Sequence, residues 1–148
     1  YVLYAGNEVC AWSAHSGKLM RKVPLQDAPE QPLTHLQAPG SHELVMAGSG
    51  GEVGRWDAES GRRIRGWKAH SGEVSALALD SNGELLATGG DDRRLRLWKR
   101  STGRLLTQYD LSGPVAGCRF LPDGRLAVWT PLGEPHYLKF LDWAQDDE

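Results

Sequence analysis

The chain predicts an all-β fold, a series of four-stranded antiparallel sheets, and three observations carry that expectation. A template built on Trp and Gly recurs along the sequence. Each period breaks into short alternating runs separated by turn residues. Gly and Pro, 18 and 8 in 148 residues, interrupt every stretch long enough for an extended helix, which excludes bundles and coiled coils.

The template appears as Trp12-Ser-Ala-His-Ser-Gly17-Lys-Leu-Met20, Trp56-Asp-Ala-Glu-Ser-Gly61-Arg-Arg-Ile64 and Trp98-Lys-Arg-Ser-Thr-Gly103-Arg-Leu-Leu106. The Trp spacings are 44 and 42, and a further 42 residues reach Phe140. Such a period marks a repeat architecture in which each unit buries its faces against its neighbours.

In chain order, residues 1–23 read as the last three strands of a unit, because Tyr1-Val-Leu-Tyr-Ala5 matches Leu44-Val-Met-Ala47. Pro24, Pro29, Pro32 and Pro39 then interrupt the ladder. Proline cannot donate to a sheet, so this link reads as a projecting loop, either a candidate contact or a plain connector. Residues 31–67 form a full unit. Residues 73–110 form the clearest one: Glu73–Asp80, the turn Ser81-Asn82-Gly83, Glu84–Thr88, the turn Gly89–Arg93, Arg94–Trp98 and Arg104–Tyr109. Asn82-Gly83, like Asp123-Gly124, suits a tight hairpin because glycine tolerates positive φ. Residues 114–142 supply three more strands, making fourteen in all within a single domain, 1–148. Aligning Glu43 with Glu84 puts Ala47 at the place of Thr88. In the last unit Trp129 falls at that place, and Phe140 falls at the place of Trp98.

Composition narrows the function classes. Apolar residues are 40% of the chain, enough for a packed core, and no run is long enough to cross a bilayer as a helix. The formal charge of −2 gives no strong global field, so neither nucleic acid nor membrane is an expected partner. Cys10 and Cys118 allow at most one bridge, which suits a reducing cytoplasm and supplies no cysteine-rich metal site. The histidines, 15, 35, 42, 70 and 136, lie in separate units without metal-ligand spacing. No metal or cofactor is expected.

Twisted four-stranded sheets that must stack do so radially, as propeller blades. With Trp56-Asp57, Ala69-His70 and the run Leu86-Ala-Thr-Gly-Gly-Asp-Asp-Arg-Arg-Leu-Arg-Leu-Trp98, the sequence resembles the WD40 repeat β-propellers. The resemblance implies an incomplete ring of about three and a half to four blades. The remainder would come from the same longer chain or from a second copy. It also implies a structural hydrogen-bonded tetrad of His70, Thr88, Asp92 and Trp98, and a core stripe of Trp12, Trp56, Trp98 and Phe140.

Other constellations have simpler readings. Thr88, His70 and Asp92 contain the ingredients of a nucleophile, base and orienting acid, but the repeat gives all three a structural role. Ala47-Gly-Ser-Gly-Gly51 approximates a hydrolase elbow, yet it lies in a strand-turn-strand hairpin. No catalytic residue is therefore expected. Arg93–Arg100, with Arg62, Arg63, Arg65 and Lys68 one unit earlier, could form a basic patch for phosphate or an acidic peptide. Asp142, Asp146, Asp147 and Glu148 read as a solvated end.

The resemblance implies a non-catalytic scaffold that binds protein partners on one propeller face, with Ser71, Asp91, Arg93, Thr130, Leu132 and Glu134 as candidate contacts. The competing expectation is a sensory or regulatory tail of a larger signalling enzyme, a kinase or an ATPase.

Overall fold

The computed structural model describes residues 2–5, 7–40, 42–131, 133 and 136–139. Those residues form fourteen strands and no helix. The first sheet holds β1 (Val2–Ala5), β2 (Glu8–Trp12) and β3 (Leu19–Pro24). The second holds β4 (Leu33–Gln37), β5 (Glu43–Gly48), β6 (Glu52–Asp57) and β7 (Arg63–Lys68). In the third are β8 (Val74–Leu79), β9 (Leu85–Gly90), β10 (Arg94–Lys99) and β11 (Arg104–Asp110), and in the fourth β12 (Gly117–Phe120), β13 (Arg125–Trp129) and β14 (His136–Lys139). Every pairing is antiparallel between consecutive strands. The innermost strands β4, β8 and β12 touch in succession, and the sheets follow one another as an open arc of propeller blades.

The recurring glycine explains the sharp corner between the third and fourth strands of a blade. Gly17, Gly61 and Gly103 have φ of 66°, 71° and 71°. Their N–H groups donate to Ser13, Asp57 and Lys99 carbonyls at 2.8, 2.9 and 2.8 Å. A side chain at position 61 would also collide with the Pro24 carbonyl. Just past each corner the outer strand carries a β-bulge, so that Leu19, Arg63 and Leu105 stand opposite Trp12, Trp56 and Trp98.

Three apolar clusters lie between successive sheets. Val9, Leu25, Leu33, Leu44, Met46 and Trp56 join the first pair. Val45, Val53, Val74, Leu86 and Trp98 lie in the second interface, and Leu85, Leu95, Leu97, Leu126 and Val128 in the third. Trp56 and Trp98 each face the sheet before their own. That geometry corrects the expectation of a uniform core stripe: Trp12 is only half-buried, because no sheet precedes its own among the described residues. Phe140 lies outside the described residues. By register, Leu138 stands opposite Leu126 as Trp98 stands opposite Leu86.

Register also corrects two alignments by one residue. Arg96 pairs with Thr88, whereas Gly54 pairs with Met46, so Met46 rather than Ala47 holds the place of Thr88 in the second blade. In the fourth, the hairpin closes one residue sooner, Leu121 N to Arg125 O against Asp80 N to Leu85 O. Val128 is thereby placed in the core, and Trp129 turns to the opposite face, 39% exposed. Its ring lies over Gly117, where a Cβ would approach to 2.1 Å.

The proline-rich link is not a projecting loop. Leu25 is buried, Gln26 N donates to Gly61 O at 2.8 Å, and Pro32 O accepts from Ser49 N at 3.0 Å. It is a strap between the first two sheets.

Candidate functional site

One loop face gathers the connections between blades and the turns between the second and third strands of each blade. Ala69 N and His70 N donate to Gly51 O at 2.9 and 3.0 Å, and Asp91 N donates to Glu73 O at 3.1 Å. Val115 N donates to Gly90 O at 3.3 Å, so the connections are tied across blade boundaries.

Beneath this face a polar chain runs through the third blade. The Trp98 Nε1–H donates to Thr88 Oγ1 at 2.9 Å. The hydroxyl lies 2.8 Å from His70 Nε2, and His70 Nδ1 lies 2.8 Å from Asp92 Oδ1. The tautomer in which Thr88 donates to Nε2 and the Nδ1–H donates to the carboxylate satisfies these four groups; Arg96 Nη1, 2.9 Å from Nδ1, then directs its hydrogens to Ala69 and Asp92 instead. The opposite tautomer would aim a nitrogen lone pair at Asp92. Arg96 completes the arrangement, donating to Ala69 O and Asp92 Oδ2, both at 2.8 Å.

Electrostatics agree with this assignment. Burial pushes the His70 pKa down and outweighs its bond to Asp92. Burial would raise Asp92, but hydrogen bonds from Arg96 and His70 hold its carboxyl at about 2. Thr88 has no exposed surface, and its hydroxyl is enclosed by Trp98 and His70.

The same polar chain fixes the exposed residues above it. Asp92 Oδ2 receives Ser71 N at 3.5 Å, and Oδ1 receives Arg94 N at 3.3 Å. Ser71, Asp91 and Arg93 stand exposed on this pinned backbone, and Arg93 has φ of 61°. Thr130 differs, because its side chain is buried in a cleft of about 200 Å³ lined by Ser112, Pro114 and Pro131. Leu132 and Glu134 lie outside the described residues, as do the acids 142–148.

The cations of the expected patch in Arg93–Arg100 are largely paired. Arg94 meets Asp110 at 2.9 Å, Arg96 meets Asp92 at 2.8 Å, and Arg100 meets Glu43 at 2.5 Å. Glu43 also accepts from Arg55 at 2.6 and 3.0 Å, while Arg55 reaches Ser101 O across the blade boundary at 2.8 Å. This cross-blade knot was invisible in sequence, since its members lie up to 58 residues apart. Cys10 and Cys118 are free thiols, and burial pushes the latter up to about 12. Among the described residues no group of three or more His, Cys, Asp and Glu side chains could hold a metal ion, and no helix could cross a membrane.

Residues 61–99 match the family described as WD domain, G-beta repeat. That match is to a single WD40 repeat. Eukaryotic translation initiation factor 3 subunit I of Phaeosphaeria nodorum is 34% identical to the chain over 96 residues, 65% of this chain and 29% of that protein. The ribosome biogenesis protein BOP1 homolog of Leishmania braziliensis is 37% identical over 62 residues, 42% of this chain and 8% of that protein. The chain thus spans less than a third of the length of these relatives. Among solved structures, one chain of the mitotic checkpoint complex superimposes with a TM-score of 0.72 at 22% identity, covering 88% of this chain and 41% of that one. The WD40 beta propeller domain of Doa1 gives 0.69 at 19% identity, over 82% and 43%. These likenesses establish the fold.

Proposed function

We propose that this chain is a non-catalytic protein-interaction module of the WD40 propeller type whose loop face receives a protein partner through Ser71, Asp91 and Arg93. The observation that carries this reading is the exposure of those three side chains on a backbone already held by Asp92 and by the bonds between blades. A surface ordered before binding loses less conformational freedom when a partner arrives. The names of similar proteins support it: one is a subunit of an initiation factor, and one structure is a checkpoint complex. His70, Thr88, Asp92 and Trp98 serve this function as the stiffening element, and Thr130 as part of the adjoining cleft.

The test compares partners captured by the parent chain with those captured by an Asp91→Ala/Arg93→Gly variant, glycine being chosen because it tolerates the positive φ. The expected result is loss of specific partners with an unchanged thermal midpoint. Equal capture by both proteins would overturn the reading.

A further inference from the structure

The outer rim, formed by the fourth strands of the blades, has an unusual charge. Eight of the chain's 17 Lys and Arg fall in segments 18–24, 62–68 and 104–110, three, four and one respectively. Those segments hold a single acid, Asp110, and Arg94 already pairs with it. The rim carries an excess of cations on a chain whose formal net charge is −2.

The cations alternate with exposed aliphatic side chains. The bulges turn Met20 and Ile64 outward, 71% and 42% exposed, and Leu19 and Leu105 are exposed nearby. The surface is continuous across blades. Arg21 donates to Glu59 O at 2.8 Å, and Arg65, at the matching position of the next blade, donates to Thr102 O at 3.0 Å. Arg21 also lies 4.0 Å from the Glu59 carboxylate and Arg63 lies 3.4 Å from that of Glu52, so two of the rim's cations are partly compensated, while the Arg65 contact is to a neutral carbonyl and leaves its charge in place. The strands β3, β7 and β11 are also sheet edges with unpaired backbone groups.

We propose that this rim is a second binding surface, distinct from the loop face, that takes an extended acidic protein segment with alternating apolar residues. Edge strands normally invite pairing by any exposed strand, including one from another copy. Here a second copy would bring a like-charged edge, whereas an acidic strand is attracted and its apolar residues cover Met20 and Ile64. Aliphatic anchors favour a protein over a nucleic acid, whose bases need aromatic platforms.

The experiment uses fluorescence anisotropy on the intact chain with three labelled probes: an alternating Glu-Leu peptide, an alternating Glu-Ser peptide and a single-stranded oligothymidylate. The Glu-Leu peptide should bind best, weaken with added salt and protect β3 and β7 from hydrogen exchange. Met20→Ser/Ile64→Ser should weaken it roughly tenfold or more. Lys22→Ser/Arg62→Ser, which spares the aliphatics, should weaken it and flatten the salt dependence. Circular dichroism verifies that both variants fold. The loop-face variant Asp91→Ala/Arg93→Gly should bind the peptide as the parent does, separating this proposal from the one above. No binding, equal binding of the Glu-Ser peptide or oligothymidylate, or protection confined to the loop face would overturn it.

Discussion

Trp56 and Trp98 repeat the same signature but solve the problem of a buried indole N–H in different ways. Trp98 uses the Thr88 hydroxyl, whereas Trp56, facing Met46, donates to the Gln26 carbonyl of the preceding strap at 3.0 Å. Gly54 leaves room for the Trp56 ring, since a Cβ there would lie 2.2 Å from it. Trp98→Ala should destabilise by about 3 to 5 kcal/mol in a denaturant titration, the cost of an emptied aromatic site. Trp98→Phe keeps most of the volume but orphans the polar chain, and should cost about 1 to 3 kcal/mol. The titrations have a defined direction. His70 has a lowered pKa when folded, so its contribution is complete above the unfolded value near 6.5 and falls as pH drops below it. Asp92, lowered from 3.8 to about 2, contributes above about pH 4 and loses roughly 2 kcal/mol as pH falls to 2. Urea midpoints measured against pH should therefore fall less steeply below pH 4 in Asp92→Asn than in the parent.

At the scale of elements, the blades are joined by arginines as well as by apolar surface. Arg55 and Arg100 converge on Glu43 from two blades, and burial of the carboxylate is outweighed by their hydrogen bonds, which lower its pKa. Glu43→Ala leaves two guanidinium groups facing each other and should cost about 3 kcal/mol, the lower end for a broken buried pair; unfolding in urea measures it. The strand pattern and the glycine corners were legible because period-two alternation and positive φ are local properties. The one-residue shifts at Met46 and Val128 were not, because a hairpin shortened by one residue leaves the sequence pattern nearly unchanged yet moves every side chain to the other face.

For the whole molecule, packing on both faces decides where stability resides. The third sheet is covered on one side by the cluster containing Trp98 and on the other by that containing Leu97. The first and fourth sheets have one described interface each. Native-state hydrogen exchange should therefore be slowest in β9 and β10 and fastest in β3 and β14. Uniform protection across the four sheets would contradict this account.

The sequence by itself determined the repeat, the all-β class and the turns, because spacing and residue type encode local geometry, while His70, Thr88, Asp92 and Trp98 were indicated by the resemblance to the WD40 repeat family. Only the tertiary structure decided that Trp12 is half-buried, that the proline-rich link is a strap, and that most arginines of the third blade are paired. Those outcomes depend on which sheet lies beside which, and a contact between residues distant in the chain leaves no mark on either one's local pattern.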